Sequence, residues 1–485
     1  MLTRLENLLR NTGGLQGLYH ALPLPLRQLA LDVRSLPLVR LRYSSGTFAC
    51  LDALMERDSW SRERLEEHVQ VQMERLFGLA RAIPFYRRTA SGASSVMEFP
   101  VLTREQVRQD PSALVCPGKR GLIRMFTSGT SGSGLPVLYD EETYIHNWAY
   151  GMKQYCWAGV DPRDWRISFF GSRVVPLEQE QPPFWMKNHP ERQYMVSIFH
   201  MTEKNMLHYA RFLEEHQGMI LEGFPTVLYP MARAVRAMKG KIKFRAVFCT
   251  GEPLYPFMRQ EIEETFGAKV YDSYGMTEWA GLILECRHGG YHVLRDCGHL
   301  EIHGVEGEEV SPGREGSFVW TGFTNSSMPF IRYRIGDQGV WEGDSCSCGM
   351  PYPLVRPTLT RESDCILCPS GKILSPRAVN QVLKNKVMFR SCQFVQEPDG
   401  GILVLAVPDG GADIRQDLED VVGALRSMTG GLNVRGEVVA EPLRRGGQGK
   451  IPLIMSNISN MSSQLPAGSA GTQSGRAATQ GGTDG

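Results

Sequence analysis

The sequence predicts an α/β protein: a large domain with mostly parallel sheets, followed by a small C-terminal α+β domain. Two observations carry this. Short apolar runs that end in small-residue turns, Ile167 to Gly171, Met219 to Gly223 and Ala246 to Gly251, alternate with helical stretches at Met206 to His216 and Pro256 to Phe266. Such strand, helix, strand order implies right-handed crossovers, and ligands then sit at the carboxyl ends of the strands, where these glycines lie. The chain is also 485 residues long, enough for two or three domains with sizeable cores.

Residues 1–120 read as a helical preface. Ser61 starts a helix in which Leu65, Val69, Met73, Leu76 and Ala80 keep near-helical spacing while glutamates take other positions. Thr103 and Gln106 have the spacing of a capping box, so a second helix starts there. Residues 121–360 carry the strand and helix alternation. A break comes near Arg361 to Asp364 and opens a unit over residues 361–455. There Cys365 to Leu367 and Lys372 to Leu374 suggest a hairpin, followed by a helix from Pro376 to about Lys386 and strands Ser391 to Gln396 and Ile402 to Val407. A helix from Asp413 to Met428 and a strand from Arg435 to Ala440 complete it. Residues 456–485 are rich in Ser, Gly and Gln, bury no core and are expected to be disordered.

Composition narrows the function. A net charge of +1 argues against a dedicated nucleic-acid binder. No stretch approaches the roughly 20 apolar residues that span a bilayer, and Met1 to Gly14 lacks the apolar run of a signal peptide. The expectation is a cytoplasmic protein without nucleic-acid or membrane partners, with a homodimer as the default assembly. Eleven cysteines without a secretion signal are read mostly as reduced thiols.

The run Thr127-Ser128-Gly129-Thr130-Ser131-Gly132-Ser133-Gly134 offers hydroxyls and a backbone that can curl round a polyphosphate. Alone, such a run is an ordinary surface loop, and it lacks the Gly-Lys-Ser/Thr ending of a Walker loop. Two later runs sharpen it: Tyr274-Gly275-Met276-Thr277-Glu278 and Tyr333-Arg334-Ile335-Gly336-Asp337. Glu278 can hold Mg²⁺ against phosphates, because that ion takes hard oxygens shared between protein and nucleotide. Asp337 can accept both hydroxyls of a ribose, and Arg361 can contact ribose or phosphate.

With these motifs the chain resembles the adenylate-forming acyl-CoA synthetases, within them the phenylacetate-CoA ligase and CapK-like branch. The resemblance runs from about Leu79 to Ser456 and includes Ala82 to Tyr86, Pro100 to Thr103, Thr250 to Leu254 and Gly449-Lys450. It implies a large adenylation domain and a small mobile C-terminal domain. It also implies a ligase that joins ATP to a carboxylic acid, releases pyrophosphate and passes the acyl group to a thiol, most simply coenzyme A. An amine, a hydroxyl or a carrier protein is the alternative acceptor, and a non-catalytic nucleotide-binding scaffold is the alternative class.

The resemblance also assigns roles. Thr127, Ser128, Gly129, Thr130, Ser131 and Gly132 would surround the β- and γ-phosphates, while Gly251, Glu252, Asp272, Ser273 and Tyr274 would line the adenine. Thr277 would meet the α-phosphate, Glu278 Mg²⁺, Asp337 the ribose and Arg361 the ribose or α-phosphate. Lys450 would bridge carboxylate and α-phosphate where negative charge accumulates. Ser363 would be the hinge. One departure stands out: the family loop reads Ser-Gly-Thr-Thr-Gly-Lys-Pro, whereas here Ser133, Gly134 and Leu135 separate Gly132 from Pro136 and the lysine is missing.

Cys286, His292, Cys346 and Cys348 resemble the ligands of a structural zinc in the CapK-like branch, and three thiolates with an imidazole suit tetrahedral Zn²⁺. His288, Cys297, His299 and the pair Cys365 and Cys368 remain competing ligands. For the acid, Phe169, Phe170, Arg173, Phe184, Trp185 and His189 mix aromatic and cationic character, which suits an aryl or aryl-acetic acid and equally suits plain core.

Overall fold

The computed structural model describes residues 13–127, 135–240, 242–304, 307–358, 365–369, 372–374, 376–383, 389–408, 412–440 and 453–458. The expectations placed on Ser128 to Gly132, Arg361, Ser363, Lys450 and the tail after residue 458 lie outside these residues.

The frame is a 13-stranded sheet. One half is parallel, in the order Gln193–Val196, Arg166–Phe169, Ile220–Gly223, Ala246–Thr250 and Val270–Gly275, with Trp185–Asn188 antiparallel at its edge. The other half is antiparallel throughout its main path: Leu282–Glu285, Tyr291–Val293, Leu354–Pro357, Tyr333–Gly343, Glu315–Gly322 and Gly298–His303. The expected mostly parallel sheet is therefore corrected to a mixed one. After residue 282 short turns replace crossover helices, and a turn can only return a strand antiparallel. Close packing in this half depends on small residues; a Cβ on Gly281 would lie 2.0 Å from the Trp320 ring.

The helical preface forms as its spacing predicts. Helix Arg62–Ala80 is capped by the Ser61 side chain and buries Leu65, Val69, Met73, Leu76, Phe77 and Ala80. The capping box of Thr103 and Gln106 starts helix Arg104–Gln109. Just before it, Leu102 and Thr103 pair parallel with Tyr333 and Arg334. The buried Tyr86 hydroxyl donates to Pro329 O at 3.0 Å and accepts from Ile331 N at 2.9 Å. These bonds stitch the preface to the segment that carries Asp337.

A separate 4-stranded sheet, Val434–Val438, Ile402–Pro408, Phe389–Gln396 and Ile454–Ser456, forms the C-terminal part. The expected hairpin pairs Ile366–Leu367 with Ile373–Leu374, and helix Arg415–Thr429 buries Val421, Leu425 and Met428. The helix expected from Pro376 reaches Asn380 and passes into a 3₁₀ turn at Gln381–Leu383. Lys372 is buried against the body of the protein. Its ammonium donates to Met428 O at 2.7 Å, Met201 O at 3.2 Å and Ile198 O at 3.4 Å, the last two in the large sheet's half of the chain.

Candidate functional site

Strands Ile220–Gly223, Ala246–Thr250 and Val270–Gly275 end nearly level, with Gly223 opposite Cys249 and Thr250 opposite Ser273. Gly251 then turns the chain with φ +79°, a left-handed conformation that favours glycine. At this edge Tyr274 stacks on Trp320 with centroids 6.4 Å apart and planes at 17°, and its hydroxyl donates to Asp337 Oδ2 at 2.8 Å. Burial, and then the Asp337 charge, holds the phenol well above its ordinary value, so it remains a donor.

Glu278 lies just past the same strand and is 2 % exposed. Its Oε1 accepts from the Tyr333 hydroxyl at 2.9 Å. Burial pushes its carboxyl up, and the nearby Arg104 guanidinium draws it back down. Arg104 also donates to Thr127 Oγ1 at 3.1 Å. Its Nε is buried with no hydrogen-bond partner among the described residues. Thr127 itself ties off the base of the predicted loop: its N donates to Leu135 O at 2.9 Å, and Leu135 N donates to Thr127 Oγ1 at 2.9 Å. Arg104 thus places a cation between the base of that loop and Glu278. Sequence reasoning missed it, because it reads as an ordinary first residue of a capped helix; only the pairing of Leu102 and Thr103 with Tyr333 and Arg334 brings it here.

The other predicted residues lie along the same edge with different partners. Thr277 presents its carbonyl to the Tyr139 hydroxyl. Ser273 Oγ donates to Cys249 O at 3.4 Å. Glu252 is turned to helix Pro225–Ala237, accepting from Thr226 Oγ1 at 2.5 Å and Thr226 N at 3.3 Å. Asp272 accepts from Tyr291 OH at 3.0 Å and Ser273 N at 2.9 Å. The structure therefore brings Thr127, Tyr274, Glu278 and Asp337 into a linked set, while the carboxylates of Glu252 and Asp272 are bound to neighbouring scaffold.

Cys286, His292, Cys346 and Cys348 meet, with one ligand atom from each all lying within 4.8 Å of one another. The Sγ atoms of Cys286 and Cys346 are 3.8 Å apart, and Cys348 Sγ is 3.3 Å from His292 Nε2. Zinc bonds of about 2.3 Å to sulfur and 2.0 Å to nitrogen give tetrahedral edges of about 3.5 to 3.8 Å, so the donor set and spacing fit such an ion. His292 Nδ1 lies 3.0 Å from Tyr352 O, an orientation that leaves Nε2 facing the thiols. A Cβ on Gly290 would stand 2.9 Å from Cys346 Sγ, so glycine makes room for the cluster. Among the described residues the competing His288, Cys297, His299, Cys365 and Cys368 join no such group.

No family model matches the chain. Among curated proteins it is 28 % identical to Protein CapK of Staphylococcus aureus over 256 residues, 52 % of this chain and 55 % of that protein. It is 30 % identical to a phenylacetate-coenzyme A ligase of Thermus thermophilus over 191 residues, 38 % of this chain and 42 % of that one. The chain spans about half the length of the curated relatives it matches. Among solved structures, a 2-hydroxyisobutyryl-CoA ligase in complex with its acyl-adenylate and CoA superposes with a TM-score of 0.53 at 18 % identity, covering 83 % of this chain and 91 % of that one. The chain shares the fold of an adenylate-forming ligase. Its likeness to CapK and the phenylacetate-CoA ligases is distant.

The residues predicted for the acid divide. Phe169 and Phe184 are fully buried and pack on Tyr209. The His189 ring bonds to Asp32 at 2.9 Å on the surface. The Arg173 guanidinium lies 5.5 Å over the Phe199 ring. Phe169, Phe184 and His189 are thus engaged in core and surface contacts.

Proposed function

We propose that this chain is an ATP-dependent carboxylate ligase that forms an acyl-adenylate and passes the acyl group to a thiol, coenzyme A. The observation that carries the reading is the linked set at one sheet edge: Tyr274 on Asp337, Tyr333 on Glu278, and Arg104 on Thr127. Asp337, oriented by Tyr274, accepts the ribose hydroxyls. Glu278 would hold Mg²⁺, which would supply charge neutralisation at the phosphates. Arg104 and the backbone of the loop at Thr127 take the β- and γ-phosphates, in place of the loop lysine that the sequence lacks.

The acid's carboxylate oxygen attacks the α-phosphorus, and the bond from that phosphorus to pyrophosphate breaks with its electron pair. A cation at the α-phosphate is worth about 10²–10³ in rate at such a step, and Lys450 is proposed for it. A thiolate then attacks the acyl carbon, forming the thioester as AMP leaves. Two proposed units, 121–360 and 361–455, would reorient about Ser363 between the steps, and the clamp at Lys372 would open as they do. An aryl or aryl-acetic acid is proposed as substrate, supported by the likeness to phenylacetate-coenzyme A ligases. The three-cysteine, one-histidine cluster is proposed to hold a structural zinc.

Incubation with ATP, Mg²⁺, coenzyme A and a panel of aryl and aryl-acetic acids tests this. The reading requires AMP and an acyl-CoA in equal amounts with at least one acid. Folded protein that binds ATP yet yields AMP with none would favour the scaffold reading instead.

A further inference from the structure

Helix Leu24–Arg42 buries Arg27, Leu31, Ser35 and Leu41. The inner face is anchored: Leu31 packs with Val174, Val175 and Met186, Ser35 accepts from Asn188 Nδ2 at 2.8 Å, and Arg42 pairs with Glu191 at 2.9 Å. The outer face meets solvent. Leu26, Leu29, Val33 and Leu36 follow helical spacing and are 51, 58, 56 and 49 % exposed. These four are among the eleven exposed large apolar side chains of the described residues. An apolar patch of this continuity marks an interaction surface.

The charges around it select the partner. Between residues 17 and 40 every exposed residue is apolar, glycine, proline or arginine, the arginines being Arg34 and Arg40. The only acidic residue of the helix, Asp32, is half-buried and bonded to His189 N and Nδ1 at 3.0 and 2.9 Å. A second copy laid on this stripe would set Arg34 and Arg40 against arginine; the stripe itself carries no exposed acid, and the exposed Glu178 stands near His20 and Arg173 at the start of the helix. A bilayer surface supplies both complements: an acyl layer for the leucines and phosphates for the arginines.

We infer that helix Leu24–Arg42 seats this protein on the surface of a bilayer containing anionic phospholipid. The helix lies in the interface plane and does not cross it; no described helix is long and apolar enough to span. The sequence expectation of no membrane partner rested on the lack of a spanning run, and that criterion does not address a helix lying flat.

Sedimentation of the full chain with vesicles tests the inference. The probes are phosphatidylcholine alone and phosphatidylcholine with about 30 mol % phosphatidylglycerol. The expected result is binding to the anionic vesicles, weakened by about 0.5 M salt and lowered about tenfold or more in Leu29→Glu/Val33→Glu. Arg40→Glu should lower it less. Unchanged circular dichroism and Tm would show that the variants fold. No binding to either vesicle, or equal binding by wild type and the double variant, overturns the inference. So does a dimer that the double variant splits while lipid binding is absent.

Discussion

The hydroxyl of Tyr274 donates to Oδ2 of Asp337 at 2.8 Å, joining the last parallel strand to an antiparallel strand more than sixty residues later. The bond aims a carboxylate across the edge where the parallel strands end. Removing the hydroxyl in Tyr274→Phe should free Asp337 and raise the KM for ATP about three- to tenfold, within the net of about 0.5–1.5 kcal/mol that a typical hydrogen bond contributes. Asp337→Asn should raise it further, because the ribose acceptor itself is weakened. Steady-state kinetics at saturating acid measure both; an unchanged KM for ATP in Asp337→Asn would remove Asp337 from the ribose.

Arg104 takes the place of the missing loop lysine in the proposed site. Arg104→Gln should lower kcat/KM for ATP by about 10² while Tm shifts little, and Arg104→Lys should recover part of it. Loss of stability without a kinetic defect at permissive temperature would instead assign Arg104 to bracing Thr127.

The cluster of Cys286, His292, Cys346 and Cys348 should bind about one equivalent of zinc in purified protein. Cys348→Ser should reduce that content and lower Tm by several degrees, because the ion staples two separate segments beside Tyr291–Val293. Metal analysis below about half an equivalent would refute the zinc assignment.

Asp272 supplies a pH signature. Burial, and then the charge of Glu285, pushes its carboxyl up to about 7, against the pull of Tyr291 and Arg259. An aspartate in the unfolded chain titrates near about 3.9. Between these values the folded state binds more proton than the unfolded one, so this group's contribution to stability is lost as pH rises from about 4 to about 7. Asp272→Asn should flatten that part of the Tm–pH profile. Parallel profiles for wild type and variant would contradict the assignment.

Local chemistry made much of the fold readable. Ser61, and Thr103 with Gln106, announce their helices because caps act within one turn, and the paired runs at Ile366 and Ile373 announce their hairpin. The antiparallel half was not legible, since nothing local to Gly298–His303 or Glu315–Gly322 states which strand each will pair with. The same applies to the site. Tyr274, Glu278 and Asp337 stand in recognisable runs, whereas Arg104 matters only through a strand pairing with residues some 230 positions away. Cys286, His292, Cys346 and Cys348 were singled out through the resemblance to the CapK-like branch, and only the folded chain separates them from the competing Cys and His; the outward leucines of helix Leu24–Arg42 were not legible, since exposure is a property of the packed chain.

Acid-dependent exchange of labelled pyrophosphate into ATP tests the central claim most directly, because it reports adenylate formation without needing the acyl acceptor. The account predicts exchange with at least one aryl or aryl-acetic acid, reduced about 10²-fold or more in Glu278→Gln and in Lys450→Ala. Exchange absent with every acid, in folded protein that binds ATP, would contradict it.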